Sequence, residues 1–140
     1  MPNERTKISR RNKYYLPEHR RAELIHYCRQ YDDWSNELRR LQEDRTRTRA
    51  VDYKRTRGSG TGNNPTEAAA FAINRIQRRI EMVDEAARET DPDLAKYIIM
   101  SVAKRVTFQT LRSKHDIPVS KNTFTRLRHE FFWRLDKKKE

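Results

Sequence analysis

Four polar side chains between residues 120 and 135 offer the hydrogen-bonding groups with which proteins recognise DNA bases. They are an amide, a hydroxyl, a guanidinium and an imidazole, at Asn122, Thr125, Arg126 and His129. In a helix, which turns by about 100° per residue, Asn122, Arg126 and His129 face the same way, with Thr125 on their flank. Because the major groove admits an α-helix, such groups can donate to and accept from base edges there. We therefore predict a DNA-facing set that adds neighbouring basic residues: Lys121, Asn122, Thr125, Arg126, His129, Lys114 and Arg112.

An apolar stripe must hold this helix against the rest of the protein. It consists of Phe124, Leu127, Phe131 and Leu135. The spacings of three, four and four residues are typical of one buried face of an α-helix. We expect Ser120 to start the helix and Trp133 to face outward with the polar set.

A second, shorter helix is predicted just before it. Thr107 can cap this helix, which carries Phe108 and Leu111 inward. The chain must leave the helical conformation before Pro118, because the residue preceding a proline avoids the αR region. Two helices joined by a tight turn form a helix-turn-helix, which we predict for this part of the chain.

The distribution of charge favours a DNA-binding interpretation, although any surface helix of a basic protein also carries arginines. Residues 104–140 contain eleven Lys or Arg against four acids, a net charge of +7. Residues 66–103 contain five basic residues against seven acids, a net charge of −2. Positive charge is therefore segregated toward the C-terminal end, as is typical of a protein that binds phosphate groups.

The overall composition limits the size of the core and indicates a polyanionic partner. Of the 140 residues, 34% are hydrophobic and 37% are charged, and the net charge is +12. Only narrow apolar stripes are available for packing, and nucleic acid is the expected partner. The absence of a long apolar run predicts no membrane association. A single cysteine, Cys28, cannot form an internal disulfide, which suits a reducing cytoplasm, and we expect this thiol to fill space in the core.

No pattern of catalytic or metal-binding residues is found, so we predict neither enzymatic activity nor a metal or other cofactor. The four histidines lack the spacing of a metal site, and one cysteine excludes a zinc finger. The sequence GSGTG follows a basic segment and lacks the Lys-Ser/Thr of a phosphate-binding loop. Adjacent acids such as Asp32 and Asp33 are better explained as helix caps or surface charge.

The N-terminal part is predicted to be a basic arm, residues 1–13, followed by a helical unit, residues 14–50. The arm either binds phosphate or only increases solubility. The unit would be a helical hairpin: Pro17 opens its first helix, and Asp32 or Asp33 caps its second. Its aromatic residues either form a small core or stack on bases.

Residues 51–65 contain all three glycines and are predicted to be a flexible basic linker, although a long helix reaching about Val51 also fits. Residues 66–140 would form the C-terminal DNA-binding domain. Its long helix begins near Asn64 and Pro65, and a fourth helix begins at Asp91 and Pro92. The long helix carries a heptad seam that either packs within the chain or pairs two chains as a homodimer. The seam comprises Ala69, Ile73, Ile76, Ile80, Val83 and Ala87. The predicted fold class is therefore all-α.

Two segments resemble small phage and prophage transcriptional regulators of the RinA/ArpU type. They are KYYLPEHRRAELIHYCRQYDDW near the start and IPVSKNTFTRLRHEFFWRLDKKK near the end. The second is similar to the helix-turn-helix of sigma-factor region 4. The resemblance implies a sequence-specific double-stranded DNA-binding activator of phage late genes, with residues 120–135 as the recognition helix. It also makes RNA polymerase a candidate partner.

Two other functional classes remain open from the sequence. A phage packaging protein, similar to a small terminase subunit, would place a comparable helical unit in a larger ring. An RNA-binding or nonspecific coat protein would rely on its basic arms for affinity. The stoichiometry of the assembly and the contribution of the arms discriminate among these classes.

Overall fold

The protein is helical throughout the part that the structure describes. The computed structural model describes the backbone of residues 10–54 and 65–139, and the side chains of residues 10–47 and 67–139. No strand occurs in those ranges, which confirms the predicted all-α class for them. The described helices are α1 (Glu18–Cys28), α2 (Tyr31–Lys54), α3 (Pro65–Thr90), α4 (Ala95–Lys104), α5 (Phe108–His115) and α6 (Lys121–Lys139).

The chain divides into two compact units. The larger contains the described residues up to Asp32 together with those from Glu81 onward, and the smaller is Asp33–Ile80. This grouping differs from the predicted boundaries of 14–50, 51–65 and 66–140, because α1 packs against α4 and α6 rather than forming a separate N-terminal hairpin. The smaller unit contains a contact between the Arg79 guanidinium and the ring of the buried Trp34, 6.0 Å apart.

The core of the larger unit is built from residues that lie far apart in the sequence. Its largest fully buried side chains are Phe131, Phe132, Leu24, Ile98, Leu111, Leu135, Val83 and Cys28. The burial of Phe124, Phe131 and Leu135 confirms three members of the predicted α6 stripe, and Leu127 is half-buried. Because α6 contributes more of these large side chains than any other helix, it is the central element of the unit.

Local capping interactions set the bounds of α5 and α6 as the sequence predicted. The Thr107 hydroxyl accepts a hydrogen bond from the Thr110 backbone N–H at 3.2 Å, and the Ser120 hydroxyl accepts one from the Thr123 N–H at 3.2 Å. Each bond satisfies one of the N–H groups that a helix start leaves unpaired. Asp116 ends α5 in the left-handed conformation, with φ of 51°, a region that Asp tolerates better than most residues.

Two other predicted helix starts are wrong by a few residues. α2 begins at Tyr31, so that Asp32 and Asp33 lie inside its first turn rather than at its cap. α4 begins at Ala95, because the Asp91 carboxylate accepts the backbone N–H groups of Asp93 and Leu94, at 2.9 and 3.2 Å, and closes a turn before the helix. Pro65 begins α3 as predicted.

The first four residues of the predicted linker, residues 51–54, are helical rather than flexible coil. α2 continues to Lys54, as in the long-helix alternative, and the rest of the predicted linker up to residue 64 lies outside the described residues, as do residues 1–9 of the predicted basic arm. Of the heptad seam, Ile73, Val83 and Ala87 are buried within the single chain. Its role in a homodimer stays a prediction.

Candidate nucleic-acid interface

Helices α5 and α6 are held together by apolar contacts on both sides of the turn that joins them. The rings of Phe108 and Phe124 lie 5.8 Å apart between centroids, with an interplanar angle of 37°. Ile117, in the turn, is buried, and its backbone N–H donates to the Leu111 carbonyl at 3.2 Å. These contacts fix the start of α6 relative to α5 and leave the polar residues of both helices at the surface.

Most of the predicted DNA-facing residues are exposed on this surface. Arg112 and Lys114 are exposed on α5, and Lys121, Asn122 and Arg126 are exposed in the first turns of α6. Thr125 is half-buried, and its hydroxyl donates to the Lys121 backbone carbonyl at 2.9 Å. The hydroxyl of Thr125 is therefore engaged within the helix, whereas the other five side chains are open to solvent.

The prediction that His129 faces outward is wrong. Only 7% of this residue is exposed, because α1 packs against α6 and covers the flank on which His129 lies. Burial lowers the pKa of the imidazole to about 4, and the nearby charges of Arg21 and Arg128 act in the same direction. His129 therefore belongs to the interior as a neutral imidazole and is removed from the DNA-facing set.

Trp133 was also predicted to face outward, and it is half-buried. The ring of Tyr14 meets it edge-on, with centroids 5.3 Å apart and an interplanar angle of 72°. The N-terminal segment before α1 thus contacts the outer side of α6. Sequence periodicity within α6 contained no signal for this contact.

The cations in the second half of α6 are largely engaged by other protein groups. Arg134 pairs with Glu130 at 2.9 Å and reaches Glu89 of α3 at 3.9 Å. Lys138 pairs with Glu89 and lies 3.6 Å from Glu85. These pairs tie the end of α6 to α3, and they explain part of the acidic surplus in residues 66–103.

The opposite flank of α6 is tied to α1 in the same way. Arg20 of α1 pairs with Asp136. The pKa of the Arg20 guanidinium is raised, mainly by its hydrogen bond to Asp136 and to a lesser extent by its hydrogen bond to Glu23. The Lys139 ammonium lies 4.0 Å from the centroid of the Tyr27 ring. Many of the basic side chains near the C-terminus therefore stabilise the packing of α6 against its neighbouring helices.

Six cations between residues 104 and 126 are exposed and pair with no carboxylate among the described residues. These side chains lie at the end of α4, on α5 and in the first two turns of α6: Lys104, Arg105, Arg112, Lys114, Lys121 and Arg126. Lys104 and Arg105 were not among the DNA-facing residues predicted from the sequence. The sequence feature that could have identified them is their position shortly before the Thr107 cap.

A buried thiol and a half-buried phenol complete the chemistry of the larger unit. Burial raises the pKa of the Cys28 thiol to about 12, which confirms the prediction of a space-filling cysteine. Burial also raises the pKa of the Tyr31 phenol, which donates a hydrogen bond to Asp84 at 2.8 Å. Among the described side chains, those of residues 10–47 and 67–139, there is no group of three or more His, Cys, Asp or Glu arranged to hold a metal ion.

Comparison with known proteins adds no relative. No family model, no curated protein and no solved structure matches the chain. Among the described helices, none has the length and apolar character needed to cross a membrane.

Proposed function

We propose that the protein is a sequence-specific double-stranded DNA-binding regulator of transcription, in which α5, the turn and α6 act as a helix-turn-helix. One observation carries the proposal. From residue 104 onward, six exposed cations that pair with no carboxylate among the described residues lie at the end of α4, on α5 and on the first half of α6, whereas Arg134 and Lys138 in the second half of α6 pair with carboxylates. A helix that enters the major groove needs free donors at its N-terminal turns, and this is where α6 has them.

The roles of the individual side chains follow from their chemistry. Arg126 lies one turn after Asn122 on the exposed side of α6, and both can make bidentate hydrogen bonds, Arg to guanine and Asn to adenine. We assign three residues to phosphate contacts: Lys121, Arg112 and Lys114. A lysine is a point charge that suits a phosphate, and Arg112 lies on α5 rather than on the helix that enters the groove. Such contacts position the protein without reading the base sequence. We assign Thr125, which lies on the flank of Asn122 and Arg126, a contact within the same groove.

The resemblance of the two terminal segments to RinA/ArpU regulators supports the biological role that we propose. In this role the protein is an activator of phage or prophage late genes in the cytoplasm, with RNA polymerase as a partner. We further propose that the heptad seam pairs two copies, because Ala69, Ile76 and Ile80 are only half-buried within one chain. A dimer would place two recognition helices on two half-sites.

The first test is the salt dependence of duplex binding. If about six phosphates are neutralised, the slope of log affinity against log salt concentration should be about −5. Binding isotherms over a range of about 50 to 300 mM salt, measured by fluorescence anisotropy on a labelled duplex, determine this slope. A slope near zero would contradict nucleic-acid binding altogether.

The second test separates reading of sequence from attraction to phosphate. Arg126→Ala should reduce the preference for a duplex selected from a random library over a scrambled duplex by about 1–3 kcal/mol, or roughly 5- to 150-fold. Arg112→Ala is the matched control, because it removes another exposed guanidinium, which we assign to phosphate, and it should weaken both duplexes alike. Competition titrations measure both ratios. Equal losses on the two duplexes in both variants would make Arg126 a phosphate contact and remove it from base recognition.

A further inference from the structure

Two lysines from distant parts of the chain meet on one tryptophan of α6. The ammonium of Lys137 lies 3.8 Å from the centroid of the Trp133 ring, and that of Lys13 lies 5.4 Å from it. Lys13 is also 5.6 Å from the Tyr14 ring, which packs edge-on against Trp133. We call Lys13, Tyr14, Trp133 and Lys137 the lysine–tryptophan cluster.

A turn before α1 holds the N-terminal side of the cluster in place. The Asn12 side-chain oxygen accepts the Tyr14 backbone N–H at 2.9 Å, and the Asn12 carbonyl accepts the Tyr15 N–H at 3.1 Å. Asparagine favours such turns because its side chain substitutes for a backbone acceptor. Lys13 is exposed in this turn, and the exposed Arg10 and Arg11 lie shortly before it.

The cluster lies on the same side of α6 as the residues assigned to base recognition. Trp133 follows Arg126 by seven residues, which is about two helical turns and about 10 Å along the axis. Lys137 follows Arg126 by eleven residues, or about 16 Å. The major groove is about 12 Å wide. When the first turns of α6 occupy the groove, Trp133 and Lys137 therefore lie near the sugar–phosphate backbone at the edge of the groove.

The chemistry of the cluster fits a phosphate better than a base. The two ammonium groups and the Tyr14 edge surround the Trp133 ring, which leaves it poorly suited to stack on an unpaired base. Neither Lys13 nor Lys137 pairs with a carboxylate among the described residues, and both are exposed. Lys138, one residue further, is instead neutralised by Glu85 and Glu89. The aromatic rings thus hold two ammonium groups in place without cancelling their charge.

We propose that the lysine–tryptophan cluster is a second phosphate-binding site for the same duplex, on the backbone that flanks the groove occupied by α6. This inference rests on the proposed function and adds a contact to it. Its consequence is that residues 10–13 lie beside the duplex, because Arg10 and Arg11 adjoin the cluster. The affinity that this site contributes is independent of base sequence.

The test is a double substitution, Lys13→Gln with Lys137→Gln, compared with Lys96→Gln. Lys96 is the matched control, because it is an exposed lysine 4.9 Å from the ring of Tyr97 but lies on α4. Because the double variant neutralises two fewer phosphates, the salt slope should fall in magnitude by about 1.8 and affinity at about 0.1 M salt by roughly 60-fold, equally for selected and scrambled duplexes. Lys96→Gln should change neither quantity.

A measurement on the unsubstituted protein supports or overturns the same inference. Binding of the duplex should slow acetylation of Lys13 and Lys137, followed by mass spectrometry, and should leave Lys96 unaffected. One outcome would overturn this inference and leave the proposed function standing. In that outcome the unsubstituted protein binds the duplex with a salt slope of about −5, the double variant keeps that slope, and Lys13 and Lys137 are not protected. The cluster would then be a packing feature. If the unsubstituted protein shows no salt-dependent binding, the proposed function fails, and this inference fails with it.

Discussion

Phe131→Ala should lower the free energy of unfolding of the larger unit by about 3–5 kcal/mol. Phe131 is fully buried at the centre of α6, and its ring packs against that of Phe132, with centroids 5.2 Å apart. Removing it leaves a cavity among side chains from several helices, which can collapse only in part. Urea denaturation followed by circular dichroism measures the effect, and duplex binding should disappear over the same range of denaturant.

Phe71→Ala is the matched control for this prediction. It makes the same chemical change in a helix, but 65% of Phe71 is exposed. We expect its effect on the unfolding free energy to remain within about 0.5 kcal/mol. Trp133→Ala should also cost less than Phe131→Ala, because Trp133 is half-buried. If Trp133→Ala unfolded the protein and Phe131→Ala had no effect, α6 would be rotated about its axis and the DNA-facing residues would be wrong.

His129 should make the stability of the protein fall as the pH decreases from neutral. The unfolded chain binds a proton at His129 near pH 6.5, whereas the folded chain does so only near pH 4, since burial lowers the pKa of the imidazole. Unfolding is therefore favoured by protonation below about pH 6.5, and the decrease in stability levels off below about pH 4. We expect the contribution of His129 to the unfolding free energy to decrease by about 2 kcal/mol between about pH 7.5 and 5, and by about 3 kcal/mol at about pH 4.

The pH dependence, rather than the stability at one pH, identifies the residue responsible. In His129→Gln the decrease between about pH 7.5 and 5 should be smaller by about 2 kcal/mol than in the unsubstituted protein. His115→Gln is the control, because His115 is exposed at the end of α5, and it should retain the full decrease. Identical pH profiles for the unsubstituted protein and His129→Gln would show that the imidazole is not held neutral inside the fold.

The sequence by itself determined the local features of the fold. Periodicity predicted the apolar stripe of α6, and the hydroxyls of Thr107 and Ser120 predicted the starts of α5 and α6, because a cap depends on residues within one helical turn. The segregation of charge was also visible in the sequence. These features come from short-range geometry, which a linear pattern records directly.

The tertiary structure decided which face of each helix is covered. A helical period assigns one buried stripe, but α6 is covered on a second flank by α1, and for this reason His129 is buried despite its position among polar residues. Composition counts Arg134 and Lys138 as basic charge, whereas their pairing with Glu89 of α3 shows them to be packing contacts. The meeting of Lys13 with Trp133, from opposite ends of the chain, likewise arises only when α1 docks. Contacts between distant segments depend on how helices pack, and no periodicity within one segment encodes them.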